Sequence, residues 1–204
     1  MIHLLAKHYK LLLLWGVLVA VVSAGISLLF PQYYSADTKV VIISRDRAGV
    51  DPYTQTKSAE LIGENLAAVM QTTDFRDKVI AAKTEVFQDT SWSNLTERNF
   101  RKKWIKDVQG RMVYGANLLQ VTAYGRTPAM AVALADVVSQ TVVTNGWEYI
   151  GGDVAIKRVD SPLSSRFPTR PNFVLNAVVG FCIGILLAGL WIVRYKHRGL
   201  LGNG

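Results

Sequence analysis

The chain has 204 residues, half of them hydrophobic, and a formal net charge of +8. The only cysteine is Cys182, so no internal disulfide can form. The three histidines, His3, His8 and His197, lie near the two ends. A middle region without Cys or His excludes zinc sites built from those residues, Ser-His-Asp triads and thiol nucleophiles, and leaves carboxylate, lysine or tyrosine chemistry. We therefore predict a protein that is not an enzyme, with no catalytic residue, metal site or cofactor.

The first apolar segment, Leu11 to Phe30, carries no charge. As a helix of about 20 residues it spans about 30 Å, the thickness of the hydrocarbon core of a bilayer. It predicts a transmembrane helix over residues 11–30, after a tail over residues 1–10. A cleaved signal peptide is the alternative, because the basic start and Val22-Ser23-Ala24 resemble a cleavage region. The apolar run continues to Phe30, and this length favours an uncleaved anchor.

The next segment opens a predicted α+β domain over residues 31–160. Tyr34 to Ser44 is rich in β-branched residues and predicts a strand. Arg45 to Thr56 contains glycine and proline and predicts a loop. Apolar residues at helical spacing predict a helix over Thr56 to Thr72. These residues are Leu61, Ile62, Leu66, Val69 and Met70.

Two shorter helices are predicted next. One begins near Asp74 and is capped by Thr73 or Asp74. After a loop from Thr84 to Leu95, the other runs from Thr96 to Val108. Its predicted inner face carries Phe100, Trp104 and Val108.

The second half of the domain predicts a strand pair, a helix and a last strand. Arg111 to Tyr124 reads as two strands around Gly115-Ala116-Asn117. Thr127 followed by Pro128 is typical of a helix start, and the helix is predicted to reach about Glu148. Its predicted core residues are Ala131, Leu134, Ala135, Val138, Val142 and Val143. Gly151-Gly152 breaks this helix before a strand from Asp153 to Val159. The whole order predicts a small sheet with helices on one face.

A proline-rich segment over residues 161–172 connects this domain to a second apolar run. Pro162, Pro168 and Pro171 favour an extended path and predict a rigid membrane-proximal strut, with an ordinary linker as the alternative. Residues 173–193 predict the second transmembrane helix, followed by a tail over residues 194–204.

The distribution of charge predicts the orientation in the membrane. The two tails contain basic residues and no acidic ones, whereas the region between the anchors is nearly balanced. The basic residues of the tails are Lys7, Lys10, Arg194, Lys196 and Arg198. Short basic tails stay in the cytoplasm, so both termini are predicted inside and the domain outside. The basic composition therefore reflects topology, and we predict no nucleic-acid partner.

The order of these features resembles a known family. The strand after the first anchor, the segment YGRTPAMAVALADVVSQ, a strand ending at Val159-Asp160 and the segment DSPLSSRFPTRPNFVLNAVVGFCIG carry the resemblance. This order is similar to the chain-length determinant (Wzz-type) proteins, or polysaccharide co-polymerases, over about half of the chain. The stretch from Arg45 to Gly110 matches only in general character.

The resemblance implies a ring-forming homo-oligomer in the bacterial inner membrane, with a periplasmic domain. Such proteins regulate chain length or export of exopolysaccharide, capsule or lipopolysaccharide O-antigen. The implied partners are the polysaccharide or its lipid-linked precursor, and a polymerase or a separate tyrosine kinase. This chain lacks the long helical hairpin of many members and a GxxxxGK[ST] phosphate loop. It looks like the short form without a kinase domain, and an adaptor that activates a separate cytoplasmic tyrosine kinase is the alternative function.

Three groups of residues are candidates for function. Small residues at every fourth position predict close helix packing, between the two anchors or between subunits: Gly16, Ala20 and Ala24, and Gly180, Gly184 and Ala188. Asn176 predicts a hydrogen bond to another membrane helix. A basic group with aromatic neighbours is a possible contact for polysaccharide or lipid headgroups: Arg98, Arg101, Lys102, Lys103, Lys106 and Trp104. The alternative for this group is a solvated helix whose aromatic residues face the core.

Overall fold

The computed structural model describes residues 8–44, 51–87, 92, 95–150 and 154–201. Within these ranges the chain has the mixed α+β architecture that the sequence predicts, with six α-helices and one antiparallel sheet. The chain divides into two units. One consists of residues 1–32 and 168–204, and the other of residues 33–167.

The elements have the following bounds. The α-helices are α1 (Tyr9–Leu28), α2 (Pro52–Val69), α3 (Thr73–Ala82), α4 (Glu97–Asp107), α5 (Pro128–Asn145) and α6 (Phe173–Leu201). The strands are β1 (Tyr34–Ser44), β2 (Val108–Val113), β3 (Leu118–Gly125), β4 (Val154–Arg158) and β5 (Leu163–Ser164). The 3-10 helices are Thr84–Phe87 and Gly146–Tyr149.

The sheet has the strand order β2-β3-β1-β4, and β5 pairs with the first half of β1. Because side chains alternate along each strand, the register decides which of them face the core. Val40 lies opposite Leu119 of β3, and Ile42 lies opposite Ile156 of β4. Val40, Leu119 and Ile42 are completely buried. The alternate positions carry polar residues such as Asp37 and Lys39 over the first part of β1 and Val41 and Ile43 at its end, so one face of the sheet is apolar and the second face is polar where it borders β3 and β2.

Helices α2 and α5 pack on the apolar face, and glycine residues allow them to come close. A Cβ atom built on Gly63 of α2 would lie 2.3 Å from Sδ of Met112 in β2. A Cβ atom on Gly125, at the end of β3, would lie 2.5 Å from the backbone nitrogen of Ala131 in α5. A side chain at position 125 would meet the backbone of α5 and force that helix away from the sheet, whereas a side chain at position 63 would first displace the flexible side chain of Met112.

The start of α2 differs from the prediction. Asp51 accepts a hydrogen bond from the Thr54 N–H at 3.0 Å, and Pro52 occupies the first turn. This combination of an aspartate cap and an early proline is a strong start signal. The predicted loop therefore ends before Pro52, and its earlier residues 45–50 lie outside the described part of the chain. Leu61 also departs from the prediction, because it is 54% exposed.

The caps of α3 and α5 show one wrong and one correct prediction. Thr72 caps α3 through a hydrogen bond from the Phe75 N–H to its Oγ1, so neither residue 73 nor residue 74 is the cap. Thr127 caps α5 as predicted, because its Oγ1 accepts a hydrogen bond from the Met130 N–H at 3.2 Å. Both caps satisfy N–H groups that have no partner inside the helix.

Helix α2 ends at Val69, before the predicted Thr72, and α4 and α5 also end earlier than predicted. Helix α4 ends at Asp107, and Val108 is the first residue of β2, where it is completely buried. Helix α5 ends at Asn145, and Gly146 begins a 3-10 helix where a Cβ atom would lie 2.7 Å from Ile156. Gly151-Gly152, the predicted breaker, lies outside the described residues.

The other unit contains α1 and α6. Both helices are long and apolar enough to cross a membrane. Helix α1 begins and ends two residues before the predicted span 11–30. Helix α6 begins at Phe173 as predicted and continues to Leu201, whereas its apolar part ends at Arg194. Residues 1–7 and 202–204 lie outside the described chain.

Candidate functional site

The predicted small residues lie at the contact between α1 and α6. A Cβ atom built on Gly184 would lie 2.6 Å from the backbone oxygen of Trp15 and 2.9 Å from Cα of Gly16. A Cβ atom on Gly180 would lie 2.7 Å from the side chain of Ser23 and 3.2 Å from Cα of Ala20. These distances mean that backbone meets backbone, which is the contact that small residues permit in lipid.

The remaining small residues have different positions. Gly16 faces the ring of Phe181, which a Cβ atom at Gly16 would approach to 2.8 Å. Ala188 is buried, and Ala24 is half-buried. Four of the six predicted positions therefore lie at close contacts between the two helices: Gly16, Ala20, Gly180 and Gly184. By contrast, Gly25 of α1 has open space around it.

Polar side chains join the same two helices. The amide nitrogen of Asn176 donates a hydrogen bond to Oγ of Ser27 at 2.7 Å, as predicted for a bond to another helix. Oγ of Ser27 donates to the carbonyl of Ser23 at 3.0 Å, and Oγ of Ser23 donates to the carbonyl of Asn176 at 2.9 Å. Ser27 is only 3% exposed. The polar atoms therefore satisfy each other between the helices.

The proline-rich segment begins as part of the sheet. After Pro162, strand β5 pairs with Ala36 and Asp37 of β1. The backbone of Ser165 donates to the carbonyl of Ser35 at 2.7 Å, and Ser35 donates from its backbone to Oγ of Ser165 at 3.1 Å. Pro168 and Pro171 follow in the sequence before α6. The first part of the predicted strut is thus a strand, which sequence reasoning missed because two residues are too few for an alternating pattern.

Trp104 of the predicted basic group is not available to a ligand. It is 1% exposed, and its indole N–H donates a hydrogen bond to the carbonyl of Met70 at 2.8 Å. Trp92 is also buried and packs against Phe100, with ring centroids 5.0 Å apart. Phe87 completes this aromatic cluster. The ring has no accessible face, so Trp104 lies on the predicted inner face of the helix and cannot contribute to a contact with polysaccharide or headgroups.

The basic residues of α4 differ in how far they are buried. Nζ of Lys103 forms an ion pair with Asp107 and lies 4.3 Å from the centre of the Trp92 ring. Arg101 is exposed and donates a hydrogen bond to Oγ1 of Thr73 at 2.9 Å. The other members of the group are exposed: Arg98, Lys102 and Lys106. The helix thus has an internal aromatic face and a solvent-facing cationic face, which is the alternative weighed from the sequence.

A network of charges ties α3 to the 3-10 helix that follows α5. Nζ of Lys78 forms an ion pair with Glu148 and lies 3.6 Å from Asp74, whose carboxylate accepts a hydrogen bond from the Tyr149 hydroxyl. The bond to Glu148 raises the pKa of Lys78. The same bond lowers the pKa of Glu148, and the Tyr149 hydroxyl lowers the pKa of Asp74. Each of these three shifts favours the charged form, so the ion pairs between α3 and the 3-10 helix persist at neutral pH.

A second network holds the turn between β2 and β3. The Glu60 carboxylate accepts a hydrogen bond from the Gly115 N–H at 2.9 Å and another from Nζ of Lys57 at 3.1 Å. These two bonds lower the pKa of Glu60, with the Gly115 N–H as the larger cause. Gly115 and Asn117 have positive φ angles of 77° and 53°, which suit a tight turn. The Gly-Ala-Asn signal was readable from sequence, but its glutamate partner on α2 was not.

The chemistry of these clusters is that of ion pairs. A glycosidase needs a carboxylic acid whose pKa is raised so that it can donate a proton. Instead, the pKa values of Glu60, Asp74 and Glu148 are all lowered by neighbouring donors. The described residues contain no group of three or more His, Cys, Asp or Glu side chains suited to a metal ion.

Comparison with known proteins does not assign the chain to a family. No protein-family description matches the chain, and no curated protein matches it significantly.

Proposed function

We propose that this protein is a non-enzymatic scaffold of the bacterial inner membrane that regulates the chain length or export of a surface polysaccharide. Two apolar helices would cross the membrane, with both termini in the cytoplasm and residues 33–167 outside. Several copies would assemble, and the assembly would set how long the polymer grows before release. The polymer, its lipid-linked precursor and a polymerase are the proposed partners.

The membrane location is supported by the distribution of polar and apolar side chains in the α1–α6 pair. The polar side chains of Ser27 and Asn176 bond to each other between the helices, whereas residues such as Leu14 and Leu186 are 62% and 66% exposed. Water would oppose this arrangement, and a hydrocarbon solvent favours it. The polysaccharide part rests on the resemblance of the flanking segments to chain-length determinants.

A deletion and a topology map test the two parts of the proposal. Deleting the gene should change the length distribution or yield of the surface polysaccharide on a gel, and the intact gene should restore it. An alkaline phosphatase fusion at Tyr114 should be active, whereas a fusion after Arg194 should be inactive. A normal polysaccharide profile would contradict the scaffold, and an inactive fusion at Tyr114 would contradict the orientation.

A second candidate is an adaptor for a separate cytoplasmic tyrosine kinase. The observation that favours it is that α6 continues as a helix to Leu201, past the end of the apolar part at Arg194. This extension would offer a basic helical element to a cytoplasmic partner. Truncation after Arg194 should abolish kinase phosphorylation and leave the assembly intact. Unchanged phosphorylation would exclude the adaptor role.

A further inference from the structure

The polar face of the sheet and the end of α2 form a groove of about 730 Å³ at the edge strand β2. Its lining comes from α2, α4, β2 and β3, and consists of Ala67, Ala68, Gln71, Ile105, Gln109, Gly110, Arg111, Gln120, Thr122 and Tyr124. Small-molecule sites have volumes of roughly 300 to 1,000 Å³, so the groove is large enough for a few sugar units.

The strand register places four polar side chains of the groove in two rows. Gln109 of β2 lies opposite Thr122 of β3, and Arg111 lies opposite Gln120. Side chains directly opposite each other are about 5 Å apart, so the rows form one continuous polar surface. Carboxamide, hydroxyl and guanidinium groups together supply both donors and acceptors, which sugar hydroxyl groups require.

A neighbouring strand holds part of this surface in place. Asp37 of β1 accepts hydrogen bonds from the amide nitrogen of Gln120 at 3.2 Å and from Oγ1 of Thr122 at 2.5 Å. Its carboxylate therefore orients two groove residues. The side chains of Gln109 and Arg111 form no hydrogen bond or ion pair within the described chain, so their polar groups face solvent.

The opposite side of the groove is apolar. Ala67 and Ala68 of α2 contribute methyl groups, and Ile105 of α4 is 48% exposed. A sugar ring has a face of C–H groups and a rim of hydroxyl groups, so it can contact both sides at once. A ligand with only apolar or only polar surface would leave one side unpaired.

The charge of the groove indicates which class of glycan it would bind. Arg111 is the only charged residue in its lining, and the nearby carboxylate of Asp37 already accepts hydrogen bonds from Gln120 and Thr122. Arg101 and Lys102 lie four and three residues before Ile105, on the adjoining surface of α4, and both are exposed. A guanidinium group binds a carboxylate through two parallel hydrogen bonds.

We propose that this groove binds an acidic oligosaccharide, with Arg111 bound to a uronic-acid carboxylate and Gln109, Gln120 and Thr122 bound to hydroxyl groups. The inference rests on the proposed function and adds to it the class of polymer and the place of contact. A protein strand is the weaker alternative for this edge, because the amide nitrogen of Gln71 already donates to the carbonyl of Val108 at 2.9 Å.

Calorimetric titration of the full chain in detergent micelles tests the site. The probe is the hexasaccharide of α-1,4-linked galacturonic acid, and neutral maltohexaose is its comparison. We expect the acidic probe to bind at least about tenfold more tightly, since charged hydrogen bonds contribute that order of affinity. Absence of binding by the acidic probe, or equal binding of the two probes, would overturn the proposal.

Two variants locate the site. Arg111→Ala should weaken binding of the acidic probe about tenfold, and Ala68→Trp should abolish it by filling the groove without changing charge. The matched controls are Lys83→Ala, an exposed cation on another surface, and Ala81→Trp on α3. Unchanged affinity in both groove variants would overturn the location. The location would also be wrong if Ala68→Trp abolished self-association of the chain but left glycan binding intact.

The outcome is separable from that of the deletion experiment. If deletion alters the polymer but the chain binds no acidic hexasaccharide, the groove inference fails and the scaffold remains. If the polymer is unchanged by deletion, the proposed function fails whatever the binding result.

Discussion

The two units of the chain arrange polar and apolar side chains in opposite ways. In the unit of residues 33–167, Trp104 and Leu119 are buried, and polar residues such as Lys102 are exposed. In the α1–α6 pair, Ser27 lies inside the contact and Leu186 lies outside. The unit of residues 33–167 therefore buries apolar side chains, whereas the helix pair buries small and polar ones.

The difference agrees with a domain that folds in water and a helix pair that, as proposed, lies in lipid. Apolar burial drives folding in water, so the α/β domain needs a core of large side chains. Between helices in lipid that driving force is absent, and association depends on close packing and hydrogen bonds. The small residues and the Ser-Asn contact of the α1–α6 pair supply these two terms. Substitutions in the two units should therefore lower stability for different physical reasons.

The largest effect is expected from Trp104→Ala in the core of the domain. The change removes a buried ring and its hydrogen bond to Met70, and should lower the free energy of unfolding by about 3 to 5 kcal/mol. Urea unfolding of the full chain in detergent, followed by circular dichroism, measures it. The neighbouring Ile105→Ala, at an exposed position, should cost less than about 1 kcal/mol. Equal losses in the two variants would contradict this account of the core.

The next effect concerns packing between α1 and α6. Gly184→Leu places a side chain where Trp15 and Gly16 already lie, and overpacking of this kind costs about 1 to 3 kcal/mol. Titration with SDS in mixed micelles, followed by the distance between labels on the two helices, measures the separation. Gly25→Leu is the matched control, because that glycine has open space around it. If both variants separated the helices equally, the loss of stability could not be attributed to the close contact at Gly184.

A smaller effect is expected from Asn176→Leu in the same helix pair. It removes the hydrogen bond to Ser27, and such bonds contribute about 0.6 to 2 kcal/mol in membranes. The SDS midpoint should therefore fall less than for Gly184→Leu. Val178→Leu, at an exposed position of α6, provides the comparison. A midpoint that rises on replacement would show that the polar contact does not stabilise the pair.

The smallest effect is a pH dependence at the β2–β3 turn. The Gly115 N–H and Lys57 hold the pKa of Glu60 below its ordinary value. The stabilisation is therefore complete above the unfolded pKa of about 4.3 and is lost as the pH falls through the lower folded pKa. The melting temperature of the full chain should drop on acidification, and Glu60→Gln should reduce that drop. If Glu85→Gln reduces it equally, the bond to Gly115 is not the cause.

Local sequence patterns predict much of the fold. Strand β1 has the predicted bounds, and the Thr127-Pro128 start of α5 was found because cap and proline are adjacent in the sequence. Uncharged length alone located the two apolar helices, to within two residues for α1. These features depend on neighbouring residues, so no tertiary information was needed.

Other features depend on partners far away in the chain. Trp104 could face core or ligand by helical period alone, and only its contact with Met70 decides that it is buried. The pairing of β5 with β1 joins residues that no short pattern connects.

The amino-acid sequence by itself determined two long apolar helices and an α+β domain between them, because runs, periods and caps act over a few residues. Only the tertiary structure decided which small residues meet and which cations stay exposed. It also decided that Arg111 and Gln120 share one groove. Strand register and helix approach set those neighbours, and both result from packing over the whole unit.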